Sequence, residues 1–149
     1  MKRTVPDAFV DSNVVVTSLI SHKGASYYLF WTTNQNFAIS TLSVKEIRAV
    51  VKRLDLDMTA LENMITKRLS VTKLTALSEL REKYLPYVSD PHDAHVVAGT
   101  VASKASFLLT YNVKHFNTNI IKRDFDVITL TPAQYMQYLR SMGKLPNKK

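Results

Sequence analysis

Asp11, Glu46, Asp90 and Asp93 are four of only twelve acidic residues in a chain of 149, and each stands where a carboxylate needs an explanation. Asp11 ends the apolar run "AFV" and is followed by Ser12-Asn13 and a helical pattern. Helix capping is one reading, a common task for Asp after a strand. Ser12 or Asn13 would cap equally well, so the carboxylate is free for other work. Glu46 has Leu42, Ser43, Ala49 and Val50 at helical spacing. No i,i+4 ion pair is available to it, and it lies at the edge of an apolar stripe. A carboxylate turned toward a core needs a partner, either a distant Lys or Arg or a metal ion; an edge-exposed Glu is the other reading. In "SDPHDAHVV", Asp90 fits an N-cap, Pro91 the first helical position and Asp93 a capping box. Asp93 also sits one turn before Val97, in line with the buried stripe, and at a helix N-terminus it should stay ionised.

Convergence of such carboxylates from separate elements is how magnesium and manganese sites are assembled, because a hard divalent cation needs several oxygens. One or two such ions can activate a water and stabilise the leaving oxygen in phosphodiester hydrolysis. Unpaired carboxylates crowded together would otherwise repel, so an empty site should cost stability.

The elements that must bring them together alternate. Short apolar runs at 8–10, 37–40, 107–110 and in "DVITL" read as strands, with "SVTKL" a further candidate. Helical patterns cover 12–21 and 25–33 around the turn at Gly24, then 41–54, 59–68, 76–84 and 90–103. The stripe of the last comprises Ala94, Val97, Ala98, Val101 and Ala102. Thr131-Pro132 opens a final helix. Alternating strands and helices predict a mostly parallel sheet covered on both faces, whose ligands gather at the strand C-terminal ends. Asp11, Asp93 and Asn112 fall at or just past strand ends or helix starts there.

Twenty Lys and Arg against twelve Asp and Glu give a net charge of +8 and a pI near 9.7. That favours polyanionic partners, nucleic acid first, with an attraction that weakens in salt; a merely solubilising surface is the plainer reading. The absence of Cys excludes disulfides and thiolate zinc sites. No stretch approaches the ~20 apolar residues of a membrane span, and "MKR" followed by a short apolar run makes a poor signal peptide. A cytoplasmic location is the expectation.

The segments "FVDSNVVVTSLI", "STLSVKEIRAVV", "DPHDAHVVAGTVASKASFLLTYNVKHF" and "ITLTPAQYMQYL" resemble, in order and spacing, those of the PIN domain, the fold of VapC-type toxin ribonucleases of toxin–antitoxin pairs. The likeness spans residues 8–140. It implies a three-layer α/β/α fold with a mostly parallel central sheet, in a single PIN-like domain over 1–142 with a basic flexible tail over 143–149. It also implies a Mg²⁺- or Mn²⁺-dependent endoribonuclease, with Asp11, Glu46 and Asp93 as catalytic metal ligands. Asn112 stands in the catalytic set where many members carry a fourth Asp. Its amide oxygen can ligate or orient water but brings no charge, which weakens the case for a second tightly held ion. Asp90 is an auxiliary ligand or a cap. RNA, an antitoxin protein and a second copy of the chain in a homodimer are the implied partners. A PIN-like fold that binds RNA or a protein without cleaving is the alternative, and Asn112 favours it.

Other features carry less. His92, His95 and His115 lack a clean metal-binding spacing. Tyr27, Tyr28 and Trp31 could stack on bases, though their helical spacing also suits a core. Ser12, Thr17 and Ser43 are candidate hydrogen-bond donors to the carboxylates. The surplus apolar surface of Tyr135, Met136, Tyr138 and Leu139 suits a dimer interface, an antitoxin groove or a core contact. A haloacid-dehalogenase phosphatase needs an acid two residues after Asp11, where this chain has Asn13.

Overall fold

The apolar runs become five short parallel strands: β1 (Ala8–Val10), β2 (Phe37–Ser40), β3 (Leu69–Thr72), β4 (Phe107–Leu109) and β5 (Ile128–Leu130). The structure, a computed structural model, describes residues 5–74 and 77–145, without the side chains of 77–80. Every residue of β1, β2 and β4 is buried, as unbroken apolar strands with helices on both faces must be. β3 and β5 are the edges and leave Val71 and Ile128 partly in solvent.

The sheet order is β3-β2-β1-β4-β5. The chain steps outward from β1 to β3, then returns to the other side of β1 for β4 and β5. The direction therefore reverses between β1 and β4, the place where open parallel sheets form their ligand crevice.

Eight α-helices lie among the described residues: α1 (Ser12–Ile20), α2 (Ala25–Thr32), α3 (Thr41–Arg53), α4 (Met58–Arg68), α5 (Leu77–Tyr84), α6 (Ala94–Ser103), α7 (Thr118–Phe125) and α8 (Pro132–Ser141). Strand alternation divides the core in two. Ala8 and Val10 face α1, α2, α3, α4 and α8 through Val14, Phe30, Ile47, Leu61 and Tyr135. Phe9, Ala38 and Leu108 face α6 and α7 through Val97, Ala98 and Ile121. The three-layer α/β/α expectation holds. α6 approaches β1 so closely that a Cβ on Gly99 would lie 2.4 Å from Phe9 Cζ.

The differences are local and have physical causes. The helix expected over 90–103 begins as a 3₁₀ turn at Pro91–Asp93, and α6 proper starts at Ala94. Its burial extends on all sides from Ala94 to Thr100, because α5 packs on it opposite the sheet, while Ala102 is exposed. "DVITL" enters its strand only at Ile128, since Asp126 is the left-handed C-cap of α7. Sequence periodicity did not reveal α7, an eight-residue helix with one fully buried side chain, Ile121. The expected start of α5 at Ala76 lies outside the described residues.

α8 opens with the Thr131–Gln134 capping box and Pro132 in its first turn. Its apolar surplus turns inward: Tyr135 and Leu139 are buried, and Tyr138 packs 4.9 Å from the Phe107 ring. The core contact accounts for that surface, so it no longer calls for a dimer or antitoxin groove. After α8 the chain turns at Gly143 (φ +71°), and Leu145 is buried in the main core. The rest of the expected tail, 146–149, lies outside the described residues, as does "MKR". Among the described residues no helix is long and apolar enough to cross a membrane.

Candidate active site

Asp11 leaves β1 at the switch point and caps α1, its Oδ1 accepting from the Ser12 backbone N–H at 2.8 Å. Its Oδ2 accepts from Thr110 Oγ1, the first residue past β4, at 2.9 Å. That hydrogen bond closes the crevice between the two strands at which the chain reverses. The cap and the candidate ligand are thus the same residue: one oxygen holds the helix, and the other faces a hydroxyl. With 6% exposure, Asp11 is a buried carboxylate. Burial raises its pKa from the ordinary 3.8 to about 6; the Thr110 and Ser12 bonds pull against this, and the charge of Asp93 adds to it.

Asp93 ends the 3₁₀ turn that leads into α6. The capping-box expectation fails here, because Asp90 caps the turn through the His92 N–H at 3.0 Å and the Asp93 side chain makes no capping bond. Its carboxyl, 24% exposed, lies 3.6 Å from His115 Nδ1. Partial burial raises its pKa, followed by the charges of Asp90 and Glu46, while His115 and His95 lower it.

Glu46 projects from the second turn of α3 with 48% of its side chain exposed. It stands at the exposed edge of the stripe, one of the readings the sequence left open, and its side-chain partner is neither Lys nor Arg: His95 Nε2 lies 3.0 Å from Glu46 Oε2. Among the described residues the Lys and Arg ion pairs lie elsewhere, Arg48 to Glu62, Lys122 to Asp126 and Arg123 to Asp124.

Asp11, Glu46 and Asp93 line one cleft of about 420 Å³ with Ser12, His95 and Arg53. Asn112 is not brought to it. β4 ends at Leu109, so Thr110 meets Asp11, while Asn112 stands exposed and donates its backbone N–H to Thr110 Oγ1 at 3.0 Å. Thr17 does not line the cleft, and Ser43 is buried against Ser40. Sequence reasoning gave His95 little weight, for want of a metal-binding spacing, and gave Thr110 no role. Thr110 had a signal, a hydroxyl at a strand end. His95 had none, since its partner is 49 residues away.

Among the described residues, no three His, Asp or Glu side chains are gathered into a ready ligand cage. The donor chemistry nevertheless suits a hard cation: Asp11 and Asp93 offer carboxylate oxygens, and neither is paired with Lys or Arg. Magnesium is commonly held by one or two carboxylates with waters completing its shell.

The model of the PIN domain family matches residues 7–114. The chain belongs to the PIN-domain family. PIN domains are generally nucleases, and the match covers the β1, α3 and α6 segments that carry the three carboxylates. Two solved structures share this PIN fold. VapBC2 from Rickettsia felis, bound to a DNA fragment from their promoter, is 19% identical, with a TM-score of 0.56 over 82% of this chain and 96% of that one. PAE2754 from Pyrobaculum aerophilum is 14% identical, with a TM-score of 0.58 over 91% of each chain. At these identities the likeness is one of fold. No curated protein matches the sequence.

Proposed function

We propose that this PIN domain is a Mg²⁺- or Mn²⁺-dependent endoribonuclease, with Asp11, Glu46 and Asp93 as the metal-holding acids. The observation that carries the reading is Asp11: a buried carboxylate without a Lys or Arg partner, pushed to a pKa of about 6, at the crevice of the sheet. A fold retains such a group at a cost, and perturbed carboxylates in a cleft are candidates for chemistry. A divalent cation, when bound, supplies an acidified water and neutralises charge at the phosphodiester. The protein's part is orientation. Ser12 and Thr110 fix both oxygens of Asp11, the short turn after Asp90 fixes Asp93, and α3 presents Glu46 from across the cleft.

Arg53, at the end of α3, is the one Lys or Arg among the residues lining the cleft. It is suited to hold a backbone phosphate beside the acids, a contact that positions RNA without reading its sequence. The net charge of +8 supports the same substrate class. We extend the reading to the toxin of a VapBC-type pair, cytoplasmic, homodimeric and opposed by an antitoxin. The support is the family and the fold shared with VapBC2 of Rickettsia felis.

The second reading, a PIN domain that binds RNA without cleaving it, is favoured by Asn112, which brings no charge and stands outside the cleft. Incubation of the purified chain with single-stranded RNA separates the two. The nuclease reading expects cleavage with Mg²⁺ or Mn²⁺ and none with EDTA. Binding of uncleaved RNA should weaken with salt, with a slope of about −0.7 in log K against log salt for each phosphate neutralised. RNA bound but intact under every divalent metal would establish the binder instead.

A further inference from the structure

His95 lies two residues after Asp93, in the first turn of α6, with a side chain only 6% exposed. Its two ring nitrogens have different surroundings. Nε2 is 3.0 Å from Glu46 Oε2, whereas Nδ1 is buried and has no hydrogen-bond partner. A ring hydrogen on Nδ1 would be a buried donor without an acceptor, and would leave the Nε2 lone pair facing a carboxylate oxygen. With the hydrogen on Nε2 the one available bond is made, and a lone pair is all that stays unmet. The tautomer is therefore assigned as Nε2–H, donating to Glu46.

Glu46 needs that bond. It is a flexible side chain on a half-exposed helix face, and His95 is its only hydrogen-bond partner among the described residues. Arg48, on the same helix, is held by both oxygens of Glu62 at 2.8 Å. The ring itself has little room to swing, because its own side chain is only 6% exposed.

Resting on the metal-centre reading, we propose that His95 is a positioning residue. Its buried imidazole, donating through Nε2, keeps Glu46 over the cleft opposite Asp11 and Asp93, so that the third carboxylate is in place before a cation arrives. It touches neither cation nor substrate and acts only through Glu46. Carboxylate ligands are commonly steadied in this way, and loss of such a partner lowers metal affinity about 10- to 100-fold.

The test is Mn²⁺ affinity by titration calorimetry on the full chain, in His95→Gln, His95→Asn, His95→Leu and Asp11→Asn, with His95→Leu repeated in a Glu46→Gln background. The Gln amide nitrogen reaches the place of Nε2 and the Asn amide that of Nδ1. Gln should therefore stay within a few-fold of wild type, while Asn and Leu weaken binding about 10- to 100-fold. In the Glu46→Gln background, His95→Leu should add nothing further. Wild-type affinity in His95→Leu, or an undiminished loss in the Glu46→Gln background, would overturn the proposal. If His95→Leu does not fold, Gln against Asn decides the matter, and equal affinity in those two overturns it. Failure of the underlying reading looks different: wild type itself would bind no Mn²⁺, or Asp11→Asn would bind it unchanged, and the proposal would fall with it.

Discussion

Asp11→Asn is expected to stop metal-dependent RNA cleavage and to make the protein more stable. The activity loss should be at least about 10²–10³-fold, the size seen when one electrostatic stabiliser of developing charge is removed. Asn keeps an oxygen for the Ser12 N–H and places an amide beside Thr110, so α1 retains its cap. Stability changes because the wild-type carboxyl has its pKa raised by burial from 3.8 to about 6. A raised carboxylate pKa means that the folded state binds the proton more tightly than the unfolded chain. Stability from this group is therefore full below about pH 4 and is lost as pH climbs from about 4 to about 6. Above that window the ionised Asp11 costs up to about 3 kcal/mol, and the amide removes the cost. Urea denaturation at pH 5, 6 and 7.5 checks this. Wild type should lose ground to the variant through the first interval, with the gap level beyond it. A variant less stable than wild type at pH 7.5 would mean that the buried carboxylate is satisfied by its neighbours, and the strongest reason to expect a cation would be gone.

Gly99→Ala carries the second large effect, and helix propensity and packing disagree about its sign. Gly99 lies inside α6, where propensity alone gives Ala a gain of about 1 kcal/mol. The new Cβ, however, would lie 2.4 Å from Phe9 Cζ and 2.6 Å from Cε2. Phe9 is fully buried between the sheet and α6. Overpacking of this kind costs about 1–3 kcal/mol and can exceed that. Packing should win, with a net loss of about 1–2 kcal/mol in chemical denaturation. Because α6 carries His95 and follows Asp93, the same shift should weaken Mn²⁺ binding. Phe9→Leu in the Gly99→Ala background should recover part of the stability by vacating the ring's space. A neutral or stabilising Gly99→Ala would show that α6 moves freely on β1, contrary to a rigidly placed cleft.

The fold was legible because its three central strands are buried on both faces. An unbroken apolar triplet such as "AFV" or "FLL" between polar neighbours leaves few alternatives, and a strand-helix alternation then forces the parallel sheet. α7 escaped because eight residues with a single fully buried side chain offer too little periodicity to read. At the site, local signals found Asp11 and Asp93. Each was ambiguous between capping and chemistry, and their capping contacts differ: Asp11 does cap, whereas Asp90 frees Asp93 from that task. The Glu46–His95 contact could not be read, since nothing local marks two residues from α3 and α6 as partners. Asn112 was named in the catalytic set from the resemblance, and the structure places it exposed, two residues beyond Thr110. The sheet stops at Leu109, so the hydroxyl of Thr110, not the amide two residues on, turns toward Asp11.

The most direct test of the central claim is anomalous diffraction from a crystal soaked in Mn²⁺. The account predicts a single strong manganese peak in the cleft, within coordination distance (about 2.0–2.3 Å) of carboxylate oxygens of Asp11 and Asp93, with Glu46 turned to the ion directly or through water. Full manganese occupancy elsewhere, with the Asp11 carboxylate still held by Ser12, Asn13 and Thr110 alone, would contradict it.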